Sequence, residues 1–181
     1  MRSKLWDKQF QMAAKSPALW ALQARRLKRA ANLVFEAYAR DLGEMQGELS
    51  PLNLGNLETP GPATLLYGLA FENVIKALIV KKEGAMIDQG RLAKQWPRHH
   101  KLVNLANRAG IGLTPAQRDL LARLTAFVEW SGRYPIPLSR DEMPLKQEGV
   151  SPAWFPLPVQ PHELGLLDDF YQTLDAQVLE A

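Results

Sequence analysis

Residues 64–82, TLLYGLAFENVIKALIVKK, carry the clearest structural signal in the chain, because they predict one helix that is apolar on almost every side. A helix with apolar residues all round belongs inside a protein. Glu72, Asn73 and Lys76 nevertheless lie in its middle, and an unpaired charge is costly to bury. The stretch therefore predicts a buried central helix whose polar side chains are paired in a network.

Bulk composition predicts one soluble domain. The chain has 181 residues, of which 46% are hydrophobic and 23% are charged, as is ordinary for a globular protein. No apolar run has the length of a membrane span, and residues 1–17 lack the unbroken apolar core of a signal peptide. We therefore expect a single domain over residues 1–181, located in the cytoplasm and not in a membrane.

The residue types present exclude several kinds of chemistry. The chain has no cysteine and only three histidines, which excludes thiol nucleophiles and cysteine metal sites and disfavours a multi-histidine site. It contains no glycine-rich phosphate loop after a strand and no Gly-x-Ser-x-Gly elbow. We therefore expect no metal and no cofactor.

Positive charge is concentrated in two clusters, although the net charge is only +3 and the sequence pI is about 9.2. Such a modest surplus is not that of a dedicated nucleic-acid protein. Each cluster has two interpretations, a surface that contacts phosphates or a solvated helix face or end. The clusters are Arg25, Arg26, Lys28 and Arg29, and then Arg91, Lys94, Arg98, His99, His100 and Lys101.

Helical periodicity recurs along the chain, and no segment shows sustained strand alternation. Thr114, Pro115 and Gln117 form a strong helix start, with a capping side chain, a proline at the first position and a glutamine that can reach back. We predict that Glu129 and Trp130 project away from the apolar stripe of that helix. The pattern predicts an all-α antiparallel bundle, with helices at about 4–15, 17–42, 64–82, 99–108, 115–131 and 162–179.

A proline-rich arm separates the last helix from the others. Residues 132–161 hold seven of the thirteen prolines and little periodicity, and a structureless connection of this length is uncommon inside a compact domain. Trp154, Phe155 and Val159 are poor candidates for a solvated linker. We expect the arm to pack along the bundle or onto a second subunit, and residues 144–160 to be a possible contact for a protein partner.

Glu72 and Lys76 are one turn apart on the same side of the central helix, in the favourable order for an i,i+4 pair. One interpretation is a structural pair that fixes the helix register. The other is a network that orients a catalytic or binding group in a cleft. His100 and the segment 129–135 are the later parts of the chain that can supply partners.

These two later segments also have alternative interpretations. Histidine is a common general base and can contact phosphates, so His100 is a candidate for either role, or else a surface histidine at a helix start. Arg133 suits bidentate phosphate contacts and Tyr134 suits base stacking. Alternatively, Arg133 caps the C-terminus of its helix and pairs with Glu129.

The pattern YGLAFENVIKAL at 67–78, HKLVNL at 100–105 and EWSGRYP at 129–135 resembles HEPN-type proteins, over about residues 62–137. The resemblance implies an antiparallel helical bundle, often a homodimer. Many HEPN domains are metal-independent ribonucleases of toxin–antitoxin and phage-defence systems, and others are non-catalytic binding modules. The ribonuclease members carry Arg, four to six residues and then His, whereas the positions that follow Arg133 at this spacing are Leu138, Ser139 and Arg140.

The resemblance therefore implies an RNA-binding or ribonuclease-related module that has departed from the family's catalytic motif. His100 and Arg133 are the candidate catalytic residues, as general base and as the group that stabilises charge on the reacting phosphate. The candidate supporting or binding residues are Glu72, Asn73, Lys76, Glu129, Tyr134 and Arg140.

Two other functions are open at this point. The chain can be a non-enzymatic, dimeric interaction module that binds its partner through residues 144–160, in which case Glu72 and Lys76 are only structural. A weaker alternative is a small-molecule site between the helices, in which Arg133 holds an anion.

Overall fold

Six α-helices and one short hairpin make up the described part of the protein. The structure is a computed structural model, which describes residues 2–44, 60–84, 87–88, 91–134, 139 and 156–180. The all-α class predicted from the sequence is confirmed. In chain order the elements are α1 (Arg2–Lys15), α2 (Pro17–Glu44), α3 (Pro60–Glu83), β1 (Ile87–Asp88), β2 (Arg91–Leu92), α4 (Leu102–Ala109), α5 (Pro115–Ala126) with a π-helical turn (Phe127–Ser131), and α6 (Leu164–Leu179).

The central helix, α3, is buried as its sequence predicts. It packs most extensively against α2 and also contacts α4, α5 and α6. Phe71, Ile75 and Ile79 are fully buried, and each side chain of this kind stabilises the fold by about 1.5–3 kcal/mol. The helix begins at Pro60, four residues before the predicted start, because prolines fit a first turn whose N–H groups need no helical partner.

By length and composition, α3 is also apolar enough to cross a membrane. Its most apolar 18-residue window is 78% buried inside the protein. The core helix of a soluble protein has the same length and composition, so these two properties are weak support for a membrane span.

Apolar residues recur along α2 at alternating spacings of four and three from Trp20 to Tyr38, which predicts one apolar stripe, and this stripe faces the core of the bundle. Two ion pairs then connect α2 to α6: Arg25 Nε lies 2.9 Å from Asp175 Oδ2, and Lys28 Nζ lies 2.5 Å from Asp168 Oδ1. These pairs are partly exposed, so each contributes about 1 kcal/mol or less, and they help to fix α2 against α6. The stripe residues Ala24, Ala31 and Tyr38 are buried, and Trp20, Leu27 and Val34 are partly buried against the same cluster.

The fourth helix begins later than the sequence predicts. It starts at Leu102, not at His99, because the backbone N–H of Leu102 is satisfied by the hydroxyl of Thr125 on α5, at 3.0 Å. His99 and His100 therefore precede the helix and do not lie on it. Gly110 ends α4 in the left-handed region, with φ of 85°, as the glycine at this position predicts.

The fifth helix has the predicted start and an unexpected end. Thr114 and Gln117 form the capping box in both directions. At the other end, the chain forms a π-helical turn from Phe127 to Ser131, which rotates the following side chains relative to an α-helix. The prediction that Trp130 projects away from the core is therefore wrong, because Trp130 is buried in this turn.

Two glycines allow the end of α5 to approach α3 closely. A Cβ on Gly68 would lie 2.5 Å from Val128 Cγ2, and a Cβ on Gly132 would lie 2.7 Å from Leu65 Cβ. This close approach places the π-helical turn against the α3 turn that precedes Glu72.

Of the proline-rich arm, residues 132–134, 139 and 156–161 are described, and the last of these segments packs along the bundle. Val159 is buried, and its N–H donates to the hydroxyl of Thr64 on α3 at 2.9 Å. Trp154 and Phe155 lie outside the described residues. After this segment, a short 3-10 turn (Pro161–Glu163) leads into α6, whose buried residues are Leu167, Phe170, Tyr171, Leu174 and Val178.

Candidate functional site

Glu72 and Lys76 form the predicted i,i+4 pair inside the protein. Lys76 Nζ donates to Glu72 Oε1 at 2.5 Å, and the two residues are 7% and 6% exposed. The second carboxylate oxygen, Oε2, lies 2.8 Å from His100 Nδ1. One carboxylate therefore joins the central helix to the segment before α4, and both of its oxygens are engaged.

The contact with Glu72 determines how His100 can act. An ionised carboxylate only accepts hydrogen bonds, so Nδ1 of His100 carries the proton that is donated to Glu72. In the neutral ring, Nε2 then has the lone pair and can accept a proton. The His100 side chain is 41% exposed, whereas Glu72 is buried, so this is a partly exposed base oriented by a buried carboxylate.

His99 lies in an electropositive environment. Its pKa is lowered below the ordinary histidine value, first by partial burial and then by the positive charges of Lys76 and Lys101. The negative charge of Glu129 acts in the opposite direction and raises the pKa by a smaller amount. The ring is therefore mainly neutral at pH 7. The end of α5 lies close to the segment that contains His99, since the N–H of Leu102 donates to the hydroxyl of Thr125 at 3.0 Å.

A cleft opens beside this network. It has a volume of about 550 Å³, and its wall combines three cations with three aromatic rings and two smaller side chains. The cations come from α3, β2 and the segment after β2, and the rings come from α1, α2 and that same segment. The lining residues are Phe10, Trp20, Lys76, Arg91, Leu92, Trp96, Pro97 and Arg98.

The ring pair and the hairpin shape this cleft. Trp20 and Trp96 are in tilted contact, with centroids 5.3 Å apart, which ties the start of α2 to the segment after the hairpin. Arg98 donates to the carbonyl oxygen of Leu92 at 3.1 Å, and this contact leaves its positive charge unneutralised. Anions and aromatic rings are therefore the chemical groups that this wall can bind.

Arg133 and Tyr134 form a separate group at the end of the π-helical turn. Arg133 Nη2 donates to the carbonyl oxygen of Glu129 at 2.6 Å, and the guanidinium lies 5.2 Å from the centre of the Tyr134 ring. The arginine therefore caps the helix end through a backbone oxygen. Within the described residues, no hydrogen bond or ion pair joins Arg133 to His100.

The other predicted site residues have different positions. The side chain of Asn73 donates to the carbonyl oxygen of Leu69 at 2.8 Å and lines a smaller pocket next to the cleft. Arg140 lies outside the described residues. Across the described part of the chain, no three His, Asp or Glu side chains come together as a metal-binding group.

Several residues of the cleft belong to no functional motif in the sequence. The helical periodicity of α2 predicts Trp20 as a core residue, and Phe10 and Trp96 belong to no predicted site. The available signal was the alternation of basic and apolar residues in RLAKQWPR, residues 91–98, which is the second basic cluster with a tryptophan inside it.

No protein-family model, curated protein or solved structure matches this chain.

Proposed function

We propose that this chain is an HEPN-like, RNA-binding module whose ligand surface is the cationic, aromatic cleft beside the Glu72–Lys76–His100 network. The observation that carries the proposal is the presence of Lys76, Arg91 and Arg98 in one wall with Trp20 and Trp96. Proteins that bind single-stranded nucleic acids combine cations for the phosphates with aromatic rings for the bases.

The electrostatics of the site support an anionic ligand. Glu72 offsets the charge of Lys76, so Arg91 and Arg98 supply most of the positive charge in the wall. The cations that act on His99 belong to the same region. A phosphate placed in the cleft gains charge-assisted hydrogen bonds from guanidinium groups, which is the reason to expect a polyanion and not an apolar ligand.

Binding to a fluorescent single-stranded RNA of twelve nucleotides tests the proposal. We expect the double variant Arg91→Gln/Arg98→Gln to bind at least tenfold more weakly at about 0.1 M salt and to show a shallower dependence on salt, because two phosphate contacts are lost. The matched control is Arg40→Gln/Arg118→Gln, which removes the same charge from exposed positions on α2 and α5 that belong to neither basic cluster. Equal weakening in both variants would show that binding follows net charge and not this cleft.

A second candidate function, metal-independent RNA cleavage, is favoured by the Glu72–His100 contact. His100 Nε2 would remove the proton of a 2′-hydroxyl, and the 2′-oxygen would attack the adjacent phosphorus. The bond to the 5′-oxygen would break, and that oxygen would take a proton from water to leave as a 5′-hydroxyl, giving a 2′,3′-cyclic phosphate. Cations beside the histidine would stabilise the charge that develops on the phosphate. The sequence-derived role of Arg133 in this step is part of the same proposal.

Cleavage is tested with pure protein, RNA and a chelator. We expect His100→Ala to abolish the activity and Glu72→Gln to lower it by about 10²-fold, since the base loses its orienting partner. Arg133→Ala tests whether the guanidinium takes part. RNA that is bound and stays intact in the presence of the wild-type protein would refute catalysis while leaving the binding function in place.

The resemblance to HEPN proteins also supports two wider proposals. A homodimer is expected, and light scattering on the intact chain measures it. A place in a toxin–antitoxin or phage-defence system follows only if RNA is the ligand.

A further inference from the structure

A second, more apolar pocket adjoins the cationic cleft. Its volume is about 300 Å³, which is the lower end of the range for small-molecule sites. Phe10, Trp20 and Leu92 line both cavities, so a ligand can occupy the two at once. The remaining lining residues of the pocket are Ala13, Ala14, Leu19, Gln23 and Asn73.

Two amide side chains interrupt the apolar lining. The Nδ2 group of Asn73 donates to the carbonyl oxygen of Leu69 at 2.8 Å, so this amide is already engaged within α3. Gln23 is exposed on α2. The wall of the pocket is therefore almost wholly apolar, with Trp20 as its largest ring.

We infer that this pocket receives one RNA base, turned out of the strand, while the adjoining cleft holds the neighbouring phosphates. The inference rests on the proposed function and adds to it the part of the RNA that is recognised. A nucleotide matches the arrangement on two counts, since its base is a flat ring that can stack on Trp20 and its phosphate is close enough to reach Arg91 and Arg98 in the adjoining cleft.

The size of the base predicts which bases bind best. Adenine has two fused rings and uracil has one, so adenine buries more surface against Trp20 and the other apolar lining residues. We therefore expect adenine in the pocket to be preferred over uracil.

Three RNA strands of equal length test the inference on the wild-type protein: an adenine tract, a uracil tract and a strand of abasic sites. We expect the adenine tract to bind about tenfold more tightly than the abasic strand and several-fold more tightly than the uracil tract. Ala13→Phe, which fills the pocket from an exposed position, should remove this preference while the salt dependence stays unchanged. Ala122→Phe is the matched control, because Ala122 is exposed on α5 and lines neither cavity.

Failure of the inference is distinct from failure of the proposed function. Equal binding of the three strands, with sensitivity to Arg91→Gln/Arg98→Gln retained, would overturn the base pocket and keep the RNA-binding cleft. No binding of any strand would overturn both. Circular dichroism of Ala13→Phe checks that the variant is folded, and the comparison of strands on the wild-type protein does not depend on that variant.

Discussion

A double-mutant cycle on Glu72 and Lys76 measures how strongly the buried network is coupled. Both residues are less than 10% exposed, with 2.5 Å between Nζ and Oε1. Removing one partner of a buried ion pair typically costs 3–5 kcal/mol, because the other charge is left uncompensated. We expect about 2.5 kcal/mol for each single change here, since His100 still contacts the carboxylate and Lys76 borders the open cleft.

The double variant Glu72→Leu/Lys76→Met should lose less unfolding free energy than the two single variants lose together. It replaces two charges with apolar side chains of similar length, so neither charge is left alone, and only the contact to His100 is lost. We expect the double variant to lower the free energy of unfolding by about 2 kcal/mol. If the two substitutions acted independently, their losses would add to about 5 kcal/mol. The coupling energy is then about 3 kcal/mol.

Urea unfolding at pH 7, followed by helical circular dichroism, gives each free energy, and an unchanged slope against urea confirms that the variants are comparable. The matched control is the cycle on Asp119 and Arg123, an i,i+4 pair whose carboxylate is 57% exposed. That coupling should be below about 0.5 kcal/mol. Additive effects at Glu72 and Lys76 would show that the two charges are solvated separately and that the network is not a buried unit.

Two further predictions concern packing and pH. Gly68→Ala should lower the free energy of unfolding by about 1–3 kcal/mol, because the new Cβ would lie 2.5 Å from Val128 Cγ2. The control, Gly165→Ala, places its Cβ in open space and should be neutral or stabilising. Equal effects of the two substitutions in thermal unfolding would contradict the close approach of α5 to α3. The pKa of Glu163 is raised by burial but lowered overall, through the hydrogen bonds from Arg123 and from the backbone of Gln160. The contribution of Glu163 to the free energy of unfolding is therefore complete above the pKa of the carboxyl group in the unfolded chain, about 4.3. It is lost as the pH falls through the lower pKa of Glu163 in the folded protein. Glu163→Gln should cost about 1 kcal/mol at pH 7 and progressively less in acid, and a pH-independent difference would refute the linkage.

The features that could be predicted from the sequence are those set by neighbouring residues. The capping box of Thr114 and Gln117 is complete within four positions, and the burial of α3 is encoded in its own apolar surface. The favourable order of Glu72 and Lys76 on one turn is local as well. In each case the residues that determine the structure are themselves close together in the chain.

The features that could not be predicted depend on contacts between distant segments. The start of α4 is set by a hydroxyl on Thr125, 23 residues from Leu102. The orientation of Trp130 depends on a π-helical turn, which has no composition signal of its own. The cleft requires Trp96 to meet Trp20 across 76 positions, and no periodicity along either segment encodes that contact.

Stability alone is a poor explanation for Glu72 and Lys76. Replacing a buried ion pair with well-packed apolar residues is often neutral or stabilising, and the cost of about 2 kcal/mol expected for the double variant comes from the lost contact with His100 and not from the pair itself. The positions of the two charges have two other consequences: Lys76 contributes an ammonium to the wall of the cleft, and Glu72 fixes the tautomer of a partly exposed histidine. Both consequences concern groups that a ligand can reach. The charges inside α3 are therefore better explained by the cleft and by His100 than by the register of the helix.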